Sequence, residues 1–247
     1  SYTDNDDGTI TDNVTGLIWE KGFGKTDYWD AQNYAASATT GGYTDWRLPT
    51  IKELYSIINF SGNQGSGSPD STTPPSDARP FIDTDYFDFE YPDGQRYINA
   101  QYISSTEYVA TVFYGVQAFF GVNFADGRIK GYPQSGVSLE SDEGRYYIRL
   151  VRGAAVYGYN DLIDNNDGTI SDLATGLMWL KYDSGHQALS PYLAGFINSD
   201  GSLNWEEALK FAEHLDYSGY NDWRLPNAKE LQSIVDYSRA PDITGSP

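Results

Sequence analysis

The chain of 247 residues carries 35 Asp plus Glu against 16 Lys plus Arg, a formal charge of -19, with 39% hydrophobic residues, 15% aromatic residues and no Cys. That charge disfavours nucleic acid, anionic lipid heads and other polyanions, because phosphate binding needs clustered Lys and Arg. The missing thiol removes disulfides, thiolate catalysis and Cys-ligated zinc together, and nowhere is there the run of about eighteen apolar residues that a spanning helix needs.

In chain order, Asp7-Gly8 sits between polar residues and a Thr-Ile-Thr run, the pattern of a tight turn feeding a strand. Thr15-Gly16 then precedes Leu17, Ile18 and Trp19, so the chain opens with a hairpin whose second strand ends on a core Trp. A helix is predicted over about 29–38. The next is predicted just after Leu48-Pro49, where Thr50-x-x-Glu53 matches a capping box and Ile51, Leu54, Ile57 and Ile58 follow at helical spacing. Residues 61–77 are a Ser-, Gly- and Pro-rich loop with too little apolar surface to order itself. Segments 102–108, 112–122, 121–129 and 145–152 read as strands, with Asp126-Gly127 as a further turn. Hairpin, helix, helix, long loop and strands make an α+β domain.

Most of this unit occurs twice. GGYTDWRLPTIKELYSII at 41–58 returns as SGYNDWRLPNAKELQSIV at 218–235, and 4–21 returns as 164–181. Between them Tyr28, Ala31, Tyr34 and Ala35 correspond to Trp205, Ala208, Phe211 and Ala212, on a second predicted helix over 205–214. Asn227-x-x-Glu230 repeats the capping box, ahead of Leu231, Ile234 and Val235. Trp19, Trp46, Trp179 and Trp223 recur in register and read as core anchors. Copy two carries an insertion at 182–204 and only 236–247 after its helix. The expected organisation is a complete domain over 1–153, a linker over 154–162 and a partial copy over 163–247. A chain continuing past Pro247 and a neighbouring subunit are the two ways to complete that copy.

The ordered motifs N-x-D-G-T-I-x-D, T-G-L-x-W, D-W-R-L-P-x-x-K-E-L, S-S-T-E, N-F-x-D-G-R and a closing R-x-V-R-G resemble the family named for the C-terminal domain of the Legionella collagen-like protein. The spacing of Trp205, Ala208 and Phe211, of Arg47 to Glu53, and of Arg149, Val151 and Arg152 is also similar to the formylglycine-generating sulfatase-modifying proteins. Their fold is a variant of the C-type lectin fold, so the resemblance implies a C-type-lectin-like copy one. Those enzymes work through cysteines, which this chain lacks, and no catalytic role carries over. The namesake implies a surface adhesin that binds glycosaminoglycans and trimerises. The reversed charge here leaves sulfated glycans behind and retains an extracellular or cell-surface, adhesive or structural role.

Asp4, Asn5, Asp7 and Asp12, with Asp164, Asn165, Asp167 and Asp172, place oxygens around a Gly turn as calcium sites do, although the spacing departs from the EF-hand and Asx turns select the same residues. Asp45, Arg47 and Glu53, with Asp222, Arg224 and Glu230, resemble paired carboxylates beside a fixed base; a buried Arg bridging the helix cap explains them without chemistry. A neutral-glycan site is expected in the non-repeated region at Tyr108, Tyr114, Asn123 and Asp126, where rings stack on sugars and polar groups take hydroxyls. The expected partners are therefore a glycan or cell-surface ligand and further copies of the chain, with no nucleic acid and no membrane insertion. The expected function is non-catalytic, with an extracellular filament or tube subunit as the alternative.

Overall fold

The computed structural model describes residues 1–112, 115–135, 145–154, 156–195, 198 and 200–240. It divides into unit 1, Ser1–Tyr157 with Asp236–Pro247, and unit 2, Gly158–Val235. The boundary falls inside 154–162, and among the described residues 236–240 belong to unit 1, where Tyr237 packs edge-on against Phe120 at 4.8 Å.

Unit 1 contains, in order, β1 (Tyr2–Asp4), β2 (Thr9–Asp12), β3 (Ile18–Glu20), β4 (Gly24–Thr26), α1 (Ala31–Ser37), α2 (Ile51–Ser56), β5 (Gln101–Val112), β6 (Val116–Asn123), β7 (Arg128–Pro133), β8 (Tyr146–Ile148) and β9 (Val151–Arg152). Two sheets result, β1-β2-β3-β9 and β4-β8-β5-β6-β7, and every pairing is antiparallel except β5 with β8. The first is built from the opening turn, where Gly8 takes φ 86° and the Asp7 carboxylate accepts the Thr9 N–H and hydroxyl. That turn sets Ile10 opposite Trp19, both fully buried.

Three expectations shift. The Asp126-Gly127 turn ends β6 and starts β7, so the strand expected at 121–129 lies beyond the turn, at Arg128–Pro133. The segment 145–152 is two strands, because it changes sheet at Arg149-Leu150: Tyr146–Ile148 pairs with β4 and Val151–Arg152 with β3. Residues 61–77 hold no helix or strand, yet they are pinned: the Asn63 and Arg79 backbones pair, Ser66 N–H meets the Asp77 carboxylate, and buried Tyr97 donates to Gln64 and Ser71 carbonyls. A loop with no apolar residues of its own is ordered by one large ring from elsewhere.

Both faces of α2 and the sheets close over a core that includes Ile10, Trp19, Ile51, Leu54, Ile58, Tyr102 and Val151. A second cluster gathers around α1, with Trp46, Phe119, Tyr146 and Ile148.

Unit 2 contains β10 (Leu162–Asp164), β11 (Thr169–Asp172) and β12 (Leu177–Leu180) in one antiparallel sheet, then α3 (Trp205–His214) and α4 (Ala228–Ser233). Its hairpin register matches that of unit 1, with Ile170 opposite Trp179. Capping boxes start both helices, including one at Asn204-x-x-Glu207, which has the same spacing as Asn227-x-x-Glu230 and was not singled out from the sequence. The insertion forms a 3-10 segment, Gln187–Leu193, and makes a core of its own: Leu189 and Leu193 pack with Phe211 and Leu215, and Trp223 joins them. The insertion thereby covers part of the ground that unit 1 buries around α1: Ala212 is buried and Trp223 half-buried, while Leu225 stays exposed.

The positions that unit 1 buries around α2 stay open. Leu54 is 0% exposed and its counterpart Leu231 50%; Ile58 is 2% exposed and Val235 41%. Of the α1 cluster, Leu48 is 5% exposed and Leu225 36%. Trp179 and Trp223, expected as core anchors, are half-buried. In unit 1 the covering comes from β5, β6 and β9, and unit 2 has no counterpart of these strands among the described residues. Truncating Leu54 to Ala is therefore expected to lower stability by about 2–5 kcal/mol, whereas Leu231→Ala changes it by about 0.5 kcal/mol or less. Urea unfolding of the two variants of the intact chain measures this, and equal losses would contradict the open face.

Candidate functional site

The DWRLP passage lies in unit 1 between two strands and holds both. On one side Arg47 exchanges backbone hydrogen bonds with Val151 of β9, each 3.0 Å. On the other, Ser105 N–H donates to the Pro49 carbonyl at 2.8 Å, and the Thr106 hydroxyl of β5 accepts the Ile51 N–H, an orphan donor of the first turn of α2, at 2.9 Å.

Side chains reinforce the backbone. The Arg47 guanidinium meets the Glu53 carboxylate through two bonds of 2.7 and 2.6 Å, while Glu53 also accepts the Thr50 N–H of the capping box. Asp45 takes Arg152 from β9 in the same bidentate way, at 2.7 and 3.1 Å, and the Arg152 guanidinium lies over the Tyr43 ring at 3.8 Å. The Arg152 hydrogen bond holds the Asp45 carboxyl below the usual carboxylate range.

Arg149, three residues earlier, is fully buried and has no carboxylate partner. Its guanidinium donates to the carbonyls of Glu20, Lys21, Gly22 and Asp88 and lies 5.1 Å from the Phe87 ring. Burial pulls its pKa below the ordinary arginine value. Without it the carbonyls of Glu20, Gly22 and Asp88 would lose this donor, each at a cost of about 1–3 kcal/mol if left unpaired, while the Lys21 carbonyl would keep the Asp88 N–H.

The repeated passage thus ties a strand, a helix cap and the closing R-L-V-R-G together across more than a hundred residues of sequence. This network is accompanied by a family match: a model of the Lcl C-terminal domain covers residues 8–152 and again residues 168–246. The chain belongs to the Lcl C-terminal domain family. No curated protein matches it.

In the second Lcl copy the local half of the network persists. Arg224 meets Glu230 at 2.7 and 2.5 Å, and Glu230 accepts the Asn227 N–H. Arg47 and Glu53, with Arg224 and Glu230, therefore serve as cap and clamp; each carboxylate is occupied by its arginine and by backbone. Both histidines of the chain, His186 and His214, lie in unit 2. His186 stacks on Tyr182 at 3.9 Å, and His214 bonds the Lys210 carbonyl beside an open depression of about 390 Å³. Glu207 in that depression is engaged by its capping box.

The expected calcium ligands are distributed over turn hydrogen bonds. Asp4 pairs with Lys21 at 2.6 Å and accepts the Asp6 N–H; Asn5 bonds Thr9 and Thr11; Asp7 accepts from Thr9; Asp12 accepts from Val14 and Thr15. Asp164, Asn165, Asp167 and Asp172 repeat this arrangement, with Lys181 in the place of Lys21. Among the described residues no three acidic or histidine side chains converge as a metal cluster. The same turn is thus made twice by Asx hydrogen bonds, with a lysine ammonium on its first carboxylate, Asp4 or Asp164.

The expected glycan residues are not presented together. Asn123 is fully buried, donating to the Ile98 carbonyl and accepting from Ala125 and Asp126 N–H. Asp126 is buried beneath Lys130 at 2.5 Å and accepts the Arg128 N–H. Both shape the β6–β7 turn, so neither offers a hydroxyl partner. Tyr108 is half-buried against Phe120 at 5.3 Å, and Tyr114 lies outside the described residues. The pattern had suggested binding because turn-forming Asn and Asp are indistinguishable in sequence from ligand-binding ones. The sequence reading also missed Tyr43, Arg149 and Arg152 as parts of this network; Tyr43 was signalled by its recurrence as Tyr220 in the repeat, and the two arginines by the closing R-L-V-R, whose partners lie far away in the chain.

Hydrogen bonds from Arg224 outweigh burial and pull the Glu230 carboxyl from 4.5 to about 2. A carboxylate held low in the folded state stabilises the fold fully above pH 4.5 and loses that contribution as pH falls toward about 2. Carbon-13 NMR titration is expected to show Glu230 with a midpoint near 2, moving up toward 4.5 in Arg224→Ala. A midpoint unmoved by that substitution would remove the pairing in unit 2.

Proposed function

We propose that this chain is a non-catalytic structural and adhesive module of an extracellular or cell-surface protein, and that unit 2 is its attachment surface. The observation that carries the reading is the contrast between the two copies. The positions of Leu54 and Ile58, which unit 1 buries under its own strands, reappear in unit 2 as exposed Leu231 on α4 and Val235 just after it, and Leu225 and Trp205 are exposed as well, Trp205 to 72%. Exposed large apolar residues in such number support an interaction surface.

Membership of a family named for the C-terminal domain of a collagen-like surface protein supports the extracellular placement. The order hairpin, helix, helix, long loop and sheet supports a C-type-lectin-like architecture for unit 1. The burial of Asn123 and Asp126 weakens the glycan reading; a sugar surface would have to use exposed aromatics such as Trp29 or Tyr159 instead. Calcium at residues 4–12 would compete with Lys21 for Asp4. Attachment through a polypeptide-binding face has the stronger support.

Sedimentation velocity of the intact chain from micromolar to submillimolar concentration is the test. Concentration-dependent association is expected, unaffected by EDTA and reduced in the double variant Trp205→Ser, Leu231→Ser. A monomer throughout, or association indifferent to the double variant, would sink the reading, and dissociation by EDTA would assign the contact to calcium instead.

A further inference from the structure

We infer that Thr72 and Thr73, on the long loop of unit 1, form an acceptor site for O-linked sugar, taking a neutral glycosyl group from an activated glycosyl phosphate. The inference is independent of the attachment reading of unit 2 and uses residues of the first copy alone.

Residues 66–77 carry six hydroxyl side chains and three prolines, the composition of segments that bear O-linked sugar. Composition does not choose among the six, but their hydrogen bonds do. The Ser66 hydroxyl shares the Asp77 carboxylate at 3.4 Å, Ser68 accepts the Asp70 N–H at 3.3 Å, and Ser71 accepts the Thr73 N–H at 3.1 Å while donating to the Thr73 carbonyl at 2.8 Å. Ser76 lies inside a turn that the Ala78 N–H closes on the Pro75 carbonyl at 3.0 Å. Thr72 and Thr73 are both exposed, and among the described residues neither hydroxyl has a hydrogen bond.

The fold holds this dipeptide between two fixed points. On the near side the N–H of fully buried Tyr97 donates to the Ser71 carbonyl at 2.9 Å, and Arg96 reaches Asp70 at 3.4 Å. On the far side Pro75 packs so closely on Gly65 and Gly67 that a Cβ at either would fall 2.8 or 2.7 Å from its ring. Pro74 and Pro75 have no N–H to give, and Pro74 disfavours a helical Thr73, so the segment is kept out of helix and sheet ladder alike. Two idle hydroxyls on an ordered, exposed backbone are what a transferase can seat without unfolding its substrate.

Charge selects the group transferred. A phosphoryl group would add about two negative charges to a loop that already holds Asp70 and Asp77, on a chain of net charge -19. A neutral sugar adds none. In the transfer the threonine Oγ1 bonds to the anomeric carbon of the donor, and the bond from that carbon to the phosphate oxygen breaks. The phosphate leaves with the electron pair, and the hydroxyl proton passes to a base of the transferase.

The test is mass spectrometry of the intact chain recovered from the cells that naturally produce it, with electron-transfer fragmentation to locate each modification. Hexose-type or N-acetylhexosamine-type increments are expected on Thr72 or Thr73, absent from the Thr72→Val, Thr73→Val double variant produced in the same cells. Neither hydroxyl holds a contact of the fold, and an unchanged circular dichroism spectrum of the variant confirms that the loss is of acceptor rather than of structure. Both threonines unmodified would overturn the site, as would phosphate in place of sugar. Sugar confined to Ser66, Ser68, Ser71 or Ser76 would overturn the selection by free hydroxyls, and so would a double variant that carries as much sugar as the parent chain.

Discussion

The exchange of backbone hydrogen bonds between Arg47 and Val151 is the constraint on which unit 1 depends. It brings the middle of the chain against its closing strand, and every other feature of the clamp is arranged around it. Arg47 can hold that position because Glu53 fixes its guanidinium and at the same time caps α2. A single carboxylate therefore couples the start of a helix to the edge of a sheet. The pairing of β9 with β3 then closes the first sheet over Trp19, and the change of sheet at Arg149-Leu150 carries the same segment into the second.

Arg149 makes that change of sheet possible. A strand leaving one sheet for another exposes carbonyls that no neighbouring strand can satisfy, and a guanidinium with its fork of donors is the side chain best shaped to gather them. It donates to three consecutive carbonyls, from Glu20 at the end of β3 to Gly22, and to that of Asp88 in the loop next to Phe87. Replacing four separate partners with one buried cation costs desolvation. The aromatic faces of Phe87 and Tyr102 offset part of that cost.

The two copies show how one motif behaves with and without its tertiary partners. Hairpin register, turn hydrogen bonds, the lysine on the turn and the capping box are the same in both, because all are made within about twenty residues of sequence. What differs is everything that comes from a distance. The insertion of unit 2 builds a small core of Leu189, Leu193, Phe211 and Leu215, which occupies the ground around the first helix. Among the described residues no comparable cover reaches α4, and Leu231 is half exposed where Leu54 is fully enclosed.

The sequence by itself specified the duplication, the hairpins, both DWRLP helices with their capping boxes and the α+β class, since these follow from turn chemistry and short-range periodicity. It also carried the clamp residues Asp45, Arg47 and Glu53, and pointed to a structural role for them. It could not assign Asn123 and Asp126, whose side chains serve a turn in the same way that ligand-binding residues would serve a sugar; only their burial separates the two. Nor could it show that Arg152 belongs to Asp45, because nothing local links positions so far apart. Tertiary structure decided those long-range pairings, and with them which apolar residues are core in one copy and surface in the other. Burial is a property of what the rest of the chain brings to a residue, and identical residues in the two copies are brought different neighbours.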